Sequence, residues 1–204
     1  TVKTPGPPSF SLTALGWAPT GNTVSRAGAQ IGDLVFVTGV IGDGLLGLKA
    51  AQGQLALAPE RIEALVSHYR MPTPRTDFAD IVREFATASV DVSDGLASDL
   101  AHIAQASRVG VSLNLTVLPL SAAAQAWFDD RVDPQLSLED LASGGDDYEI
   151  AFTAHPRHED ALRREAERRL IRLTRVGEVT AGQGLTVLYD GQPVPMARNG
   201  WTHG

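Results

Sequence analysis

Apolar residues in this chain recur at every second position in some stretches and at every third or fourth in others, and the two spacings take turns. Period two lines one face of a strand, and period three to four lines one face of a helix. Residues 33–38, 88–92, 111–117, 149–153, 171–179 and 185–189 read as strands. Ile62, Leu65, Val66 and Tyr69 mark one helix; Phe78, Ile81, Val82 and Phe85 mark a second; Leu96, Leu100, Ile103 and Ala104 mark a third. Met71-Pro72-Thr73-Pro74 separates the first two helices, Pro156 suits a helix start, and Asp190-Gly191 suits a hairpin turn. Such alternation predicts a mixed α/β or α+β domain, and the class expected here is α+β, a mixed sheet with packed helices.

The opening segment differs. Thr4-Pro5-Gly6-Pro7-Pro8 is extended and linker-like, because each proline fixes its own φ and biases its predecessor away from helix. Residues 9–15 then alternate, with Phe10, Leu12 and Ala14 on one side, and predict a half-buried strand belonging to whatever precedes the linker. A domain boundary is expected near residue 25.

Charge narrows the partners. Against 17 Lys and Arg stand 24 carboxylates, a net −7 that opposes nucleic acid and anionic membrane while leaving carboxylates free for metal. The chain has no cysteine, so it has no disulfide framework, and a reducing cytoplasm fits. No apolar run is long enough to span a bilayer. The arginines of residues 157–175 pair with acids at i,i+4 spacing, such as Glu159 with Arg163 and Glu165 with Arg169, which describes a solvated helix face.

Three segments carry chemistry. Asp91-Val92-Ser93-Asp94-Gly95-Leu96 puts Asp91 at a strand end and Asp94 near a helix start, where paired carboxylates suit Mg2+ and free helix N–H groups suit phosphate. By itself it more readily describes a helix capped by Ser93 or Asp94, with Asp99 and His102 on the helix surface. Ser143-Gly144-Gly145-Asp146-Asp147-Tyr148 offers a carboxylate on a glycine turn, but by itself more readily reads as an ordinary exposed turn. Gly42-Asp43-Gly44-Leu45-Leu46-Gly47 matches G-x-G-x-x-G, yet the acids about 20 residues on, Glu60 and Glu63, open another helix instead of ending a strand. Close helix–sheet packing through these glycines is expected in place of a dinucleotide site.

Taken together, these segments resemble the thiamine-monophosphate kinase family. The likeness also runs through Ser11-Leu12-Thr13-Ala14-Leu15-Gly16, Ser25-Arg26-Ala27-Gly28-Ala29, Gly32-Asp33-Leu34-Val35, Tyr69-Arg70-Met71-Pro72 and the closing Asn199-Gly200-Trp201-Thr202-His203. The resemblance implies a PurM-like C-terminal domain over residues 25–204, with residues 1–24 as the linker and last strand of an N-terminal ATP-binding domain. It implies a kinase that passes the γ-phosphoryl group of ATP to thiamine monophosphate, with Mg2+ held by Asp91 and Asp94. Ser93 and Arg26 correspond to ATP contacts, and Asp146 and Trp201 to substrate contacts. No residue acts as a covalent catalyst; positioning and metal electrostatics suffice. A homodimer and a cytoplasmic location go with the family.

Two departures follow. The family usually has glutamate where this chain has Asp146, one methylene shorter. Its N-terminal portion, with a Gly-Gly-Asp and further aspartates, would lie before Thr1, so this chain alone is expected to show little or no turnover. Competing readings are another PurM-like enzyme of the selenophosphate or aminoimidazole ribonucleotide synthetase type, and a non-catalytic module that binds nucleotide or thiamine phosphate.

Overall fold

A computed structural model of the chain describes residues 6, 11–17, 21 and 23–196. Its elements are β1 (Leu34–Thr38), α1 (Asp43–Ala51), α2 (Pro59–Arg70), α3 (Ala79–Phe85), β2 (Ala86–Asp91), α4 (Leu96–Ser107) and β3 (Gly110–Asn114). After these come α5 (Ala122–Asp129), α6 (Pro134–Ser143), β4 (Ile150–Ala154), α7 (Glu159–Arg168), β5 (Leu173–Thr180), β6 (Gly184–Tyr189) and β7 (Gln192–Val194). The strands form one seven-stranded sheet in the order β2-β4-β1-β5-β3-β6-β7. It is mixed, because β3 and β6 run parallel while the other neighbours are antiparallel. The α+β expectation holds.

Strand β1 shows why the sheet needs helices on both sides. All five of its residues are buried. Alternation sends Val35 and Val37 to one face, where Leu96, Leu100 and Ile103 of α4 pack, and Leu34 and Phe36 to the other. There Ile81 and Val82 of α3 and Leu162 of α7 close the second core, and Phe36 stacks on Phe152 at 5.6 Å. Each such fully buried side chain contributes about 1.5–3 kcal/mol. A third cluster joins Leu46 of α1, Leu65 of α2, Trp127 of α5 and Leu141 of α6.

Several expectations change on contact with the structure. Residues 11–17 form no strand and are exposed, Leu12 and Leu15 at 95% each. A lone extended segment has no ladder to join, so alternation alone cannot make it a strand; residues 9 and 10 lie outside the described residues. The strand expected over 111–117 stops at Asn114, whose side chain accepts the Thr116 N–H at 3.1 Å and turns the chain into a 3-10 helix. The glycines of residues 42–47 pack against two helices, α6 at Gly42 and α2 at Gly47, and against a loop at Gly44, not against the sheet. A Cβ on Gly47 would lie 2.4 Å from the Leu65 carbonyl oxygen of α2, and one on Gly44 would lie 2.5 Å from the Gly145 carbonyl oxygen.

Helices α5 and α6 were not anticipated, because their alanine-rich or polar sequences carry no continuous apolar stripe. Their starts were nevertheless written in the chain: Ser121 accepts the Ala124 N–H at 3.0 Å, and Asp133 accepts the Leu136 N–H at 3.0 Å just before Pro134. The hairpin at Asp190-Gly191 is as expected. Both residues have positive φ, 48° and 75°, and join β6 to β7.

Candidate functional site

Because β4 lies between β2 and β1 and runs antiparallel to both, the ends of β2 and β1 meet the start of β4 at one edge of the sheet. Three connections therefore converge: residues 39–42, residues 92–95 and residues 144–149. The ladder carries on beyond the strands. Val92 N–H donates to the Glu149 carbonyl at 2.8 Å, Tyr148 N–H to the Val92 carbonyl at 2.8 Å, and Asp146 N–H to the Ser93 carbonyl at 3.0 Å.

Ser93 and Asp94 do not cap α4. Gly95 holds the capping position before the helix and has no side chain to bond its first turn. Instead Asp99, inside α4 and only 2% exposed, reaches back with one oxygen, Oδ2, to accept the N–H groups of Ser93 at 3.0 Å and Asp94 at 3.1 Å. Asp99 is thus not a surface residue, because the two turn amides need an acceptor. Burial pushes its carboxyl up; the two amide bonds oppose this, and Asp94 and Asp91 add to it. The Ser93 hydroxyl donates to Asp94 Oδ1 at 3.2 Å, and Asp91, the last residue of β2, is exposed.

Behind this surface lie three buried acids. Asp147, 1% exposed, accepts Gly42 N–H and Gly44 N–H at 2.8 Å each and so pins the start of α1. Burial raises its carboxyl to about 8 against the pull of those two bonds, with Asp43 and Glu149 adding to the rise. Glu149, also 1% exposed, receives Arg75 Nε at 2.6 Å, Arg75 Nη2 at 2.5 Å and the Thr38 hydroxyl at 2.7 Å. Asp43 accepts the Ser121 hydroxyl at 2.7 Å; its carboxyl is raised chiefly by burial, opposed by Ser121 and His68. Between and beside these, Asp146 and Tyr148 both take positive φ, 69° and 51°, a costly state for residues with a Cβ. The Tyr148 hydroxyl donates to Asp146 Oδ1 at 3.0 Å, which raises the tyrosine's pKa.

Asp91 at the end of β2, Ser93 and Asp94 on the 92–95 loop and Asp146 on the 144–149 loop are therefore brought together. Arg26 is not. It is exposed, and its carbonyl accepts the Ser107 hydroxyl at 3.2 Å, at the far end of a helix that rises about 18 Å. Trp201 lies outside the described residues. Among the described residues no three His, Asp or Glu side chains form a self-sufficient metal cage. Mg2+ takes only one or two carboxylates when phosphates and waters complete its shell, and the exposed Asp91 and the half-buried Asp94, neither spent on capping α4, fit that requirement.

Sequence reasoning missed Arg75, Thr38, Asp43 and the inward roles of Asp147 and Glu149. Alternation through residues 146–149 carried no usable signal, because both faces of β4 are buried, Ala151 on one and Phe152 on the other. Nothing local marked Arg75, whose partner lies 74 residues away.

Residues 30–190 match the family model described as AIR synthase related protein, C-terminal domain. Over 204 residues the chain is 44% identical to a thiamine-monophosphate kinase of Caulobacter vibrioides, covering 100% of this chain and 57% of that one. The fold superposes on the crystal structure of a thiamine-monophosphate kinase from Stenotrophomonas maltophilia with a TM-score of 0.75 and 36% identity, covering 87% of this chain and 56% of the other. A further solved structure, AaThiL complexed with AMPPCP and TMP, matches with a TM-score of 0.71 and 33% identity over 89% of this chain and 54% of its own. The chain spans a little over half the length of these relatives.

Proposed function

Because the chain belongs to the AIR synthase related C-terminal domain family and aligns along its whole length with part of a thiamine-monophosphate kinase, we propose that it serves ATP-dependent phosphorylation of thiamine monophosphate. An oxygen of the acceptor's phosphate forms a bond to the γ-phosphorus of ATP, and the bond from that phosphorus to the β–γ bridging oxygen breaks. Thiamine diphosphate and ADP result. The observation that carries this reading is the joining of the Ser93–Asp94 turn to Asp146 through the Asp146 N–H to Ser93 carbonyl bond, with Asp91 beside them.

In this reading Asp91 and Asp94 hold Mg2+, which neutralises charge between crowded phosphates. The Ser93 hydroxyl contacts the nucleotide. The Asp146 carboxylate, held by Tyr148, faces the thiamine ester, and Trp201 packs on its flat ring. Arg26, on the segment anchored on Ser107 at the far end of α4, would meet ATP away from the metal-bound phosphates. The related AaThiL complex with AMPPCP, an ATP analogue, and TMP supports both ligands.

Residues 1–24 are assigned to a preceding ATP-binding domain and residues 25–204 to the PurM-like domain. The chain by itself is expected to turn over little. Homodimerisation of the whole protein and a cytoplasmic location belong to the same proposal.

The test is an assay of thiamine diphosphate formation from ATP and thiamine monophosphate. This chain alone is compared with a protein in which the N-terminal part of the Caulobacter vibrioides relative precedes it. Turnover is expected only in the second. Fast turnover by the chain alone would overturn its dependence on that part. Failure of the second with thiamine monophosphate, alongside success with another acceptor, would overturn the substrate.

A further inference from the structure

Helix starts usually consume the polar side chains just before them, because the first N–H groups of the helix need acceptors. The segment before α4 has two such candidates, Ser93 and Asp94, and neither is used in that way. The acceptor comes from the opposite direction. Asp99, already inside the helix, takes the amides of Ser93 and Asp94 on a single oxygen. A carboxylate oxygen between two consecutive N–H groups fixes the turn they belong to, and charge-assisted bonds of this kind are among the stronger ones.

We propose that Asp99 is a positioning residue for phosphate and cation binding: its Oδ2, clamped on the Ser93 and Asp94 amides, holds the turn so that the Ser93 and Asp94 side chains face outward and stay free of capping. This rests on the functional reading above, in which those two side chains serve the nucleotide and its metal. Three features support it. Asp99 is 2% exposed, so its contacts are to the protein and not to solvent. Both bonds go to one oxygen, so the amide oxygen of asparagine in the same place retains them. The clamped turn is the one whose Ser93 carbonyl receives the Asp146 N–H, so releasing it also loosens the substrate-side loop.

The experiment uses the joined protein described above, in which the N-terminal part of the Caulobacter vibrioides relative precedes this chain, and two variants of it, Asp99→Ala and Asp99→Asn, each first confirmed as folded by its amide NMR spectrum. Should Asp99→Ala not fold, Asp99→Ser, too short to span both amides, replaces it. Two quantities are read: hydrogen exchange of the Ser93 and Asp94 amides without ligand, and affinity for AMPPCP with Mg2+ by calorimetry. In Asp99→Ala both amides are expected to exchange at least about tenfold faster and the nucleotide to bind at least about tenfold more weakly. In Asp99→Asn protection is expected to stay near the original, with affinity lowered only about two- to fivefold through the lost charge. Rescue by asparagine separates positioning from general stability.

Unchanged protection in Asp99→Ala, or lost protection with unchanged affinity, would overturn the proposal. A joined protein that protects both amides yet binds no Mg2+·AMPPCP would instead overturn the functional reading, and with it the role given to the clamp.

Discussion

The backbone N–H of Gly44 donates to the Asp147 carboxylate at 2.8 Å, across 103 residues of sequence. With the matching bond from Gly42, it fastens the start of α1 to the loop that carries Asp146 and Tyr148. The site surface is thus built on a carboxyl group that is itself only 1% exposed.

Burial has raised the Asp147 carboxyl from 3.8 to about 8, so the folded chain binds its proton more tightly than the unfolded chain does. Stability from that group is complete below the unfolded value and is lost as pH rises through the folded one. The difference in unfolding free energy between the native chain and Asp147→Asn should therefore shift against the native chain as pH rises from about 5 to about 8. Urea denaturation at three pH values across that window checks it. A difference that stays flat across that window would mean that the two amide bonds hold Asp147 ionised throughout.

Gly44 and Gly47 sit one helical turn apart but meet different neighbours. Gly47→Ala would press on Leu65 of α2 and should cost about 1–3 kcal/mol of stability, despite alanine's better helix propensity. Gly44→Ala would press on the Gly145–Asp146 backbone and should weaken thiamine monophosphate binding more than it lowers the melting temperature. Calorimetric titration and thermal melts of both variants separate the two effects. Equal effects of both substitutions on binding would contradict the packing described.

Arg75 spans Glu149 with two nitrogens, and Glu149 is 1% exposed. Truncation to alanine would leave a buried carboxylate with only the Thr38 hydroxyl among its side-chain partners, so a loss of about 3 kcal/mol is expected. Arg75→Ala with Glu149→Gln should recover part of it. A double variant less stable than the single one would show that the pair is not the source of the loss.

Much of this architecture was legible in the chain, and the reasons are local. The spacing of Leu96, Leu100 and Ile103 fixed α4, the Leu-Val-Phe-Val run fixed β1, and Asp190-Gly191 fixed the last hairpin. Of the candidate site residues, Asp91, Ser93, Asp94 and Asp146 came together because two strand ends happen to flank a third. Sequence alone did not show which acids turn inward. Asp147 and Glu149 look like surface letters until Gly42, Gly44 and Arg75 arrive from far along the chain. Asp99 was misplaced for the same reason, since its burial depends on a turn that comes before its own helix. The strand expected over residues 9–15 failed in its described part because alternation promises a strand only where a neighbour exists to pair with it.

The central claim is that Asp91 and Asp94 hold a magnesium–nucleotide complex at the turn before α4. Titration of AMPPCP into the protein in which the N-terminal part of the Caulobacter vibrioides relative precedes this chain, with and without Mg2+, addresses it directly when repeated on a variant carrying Asp91→Asn and Asp94→Asn. The account predicts binding that requires Mg2+ and falls at least about a hundredfold in the double variant, whose amide spectrum stays native. Equal affinity in the double variant, or equal affinity without Mg2+, would contradict it.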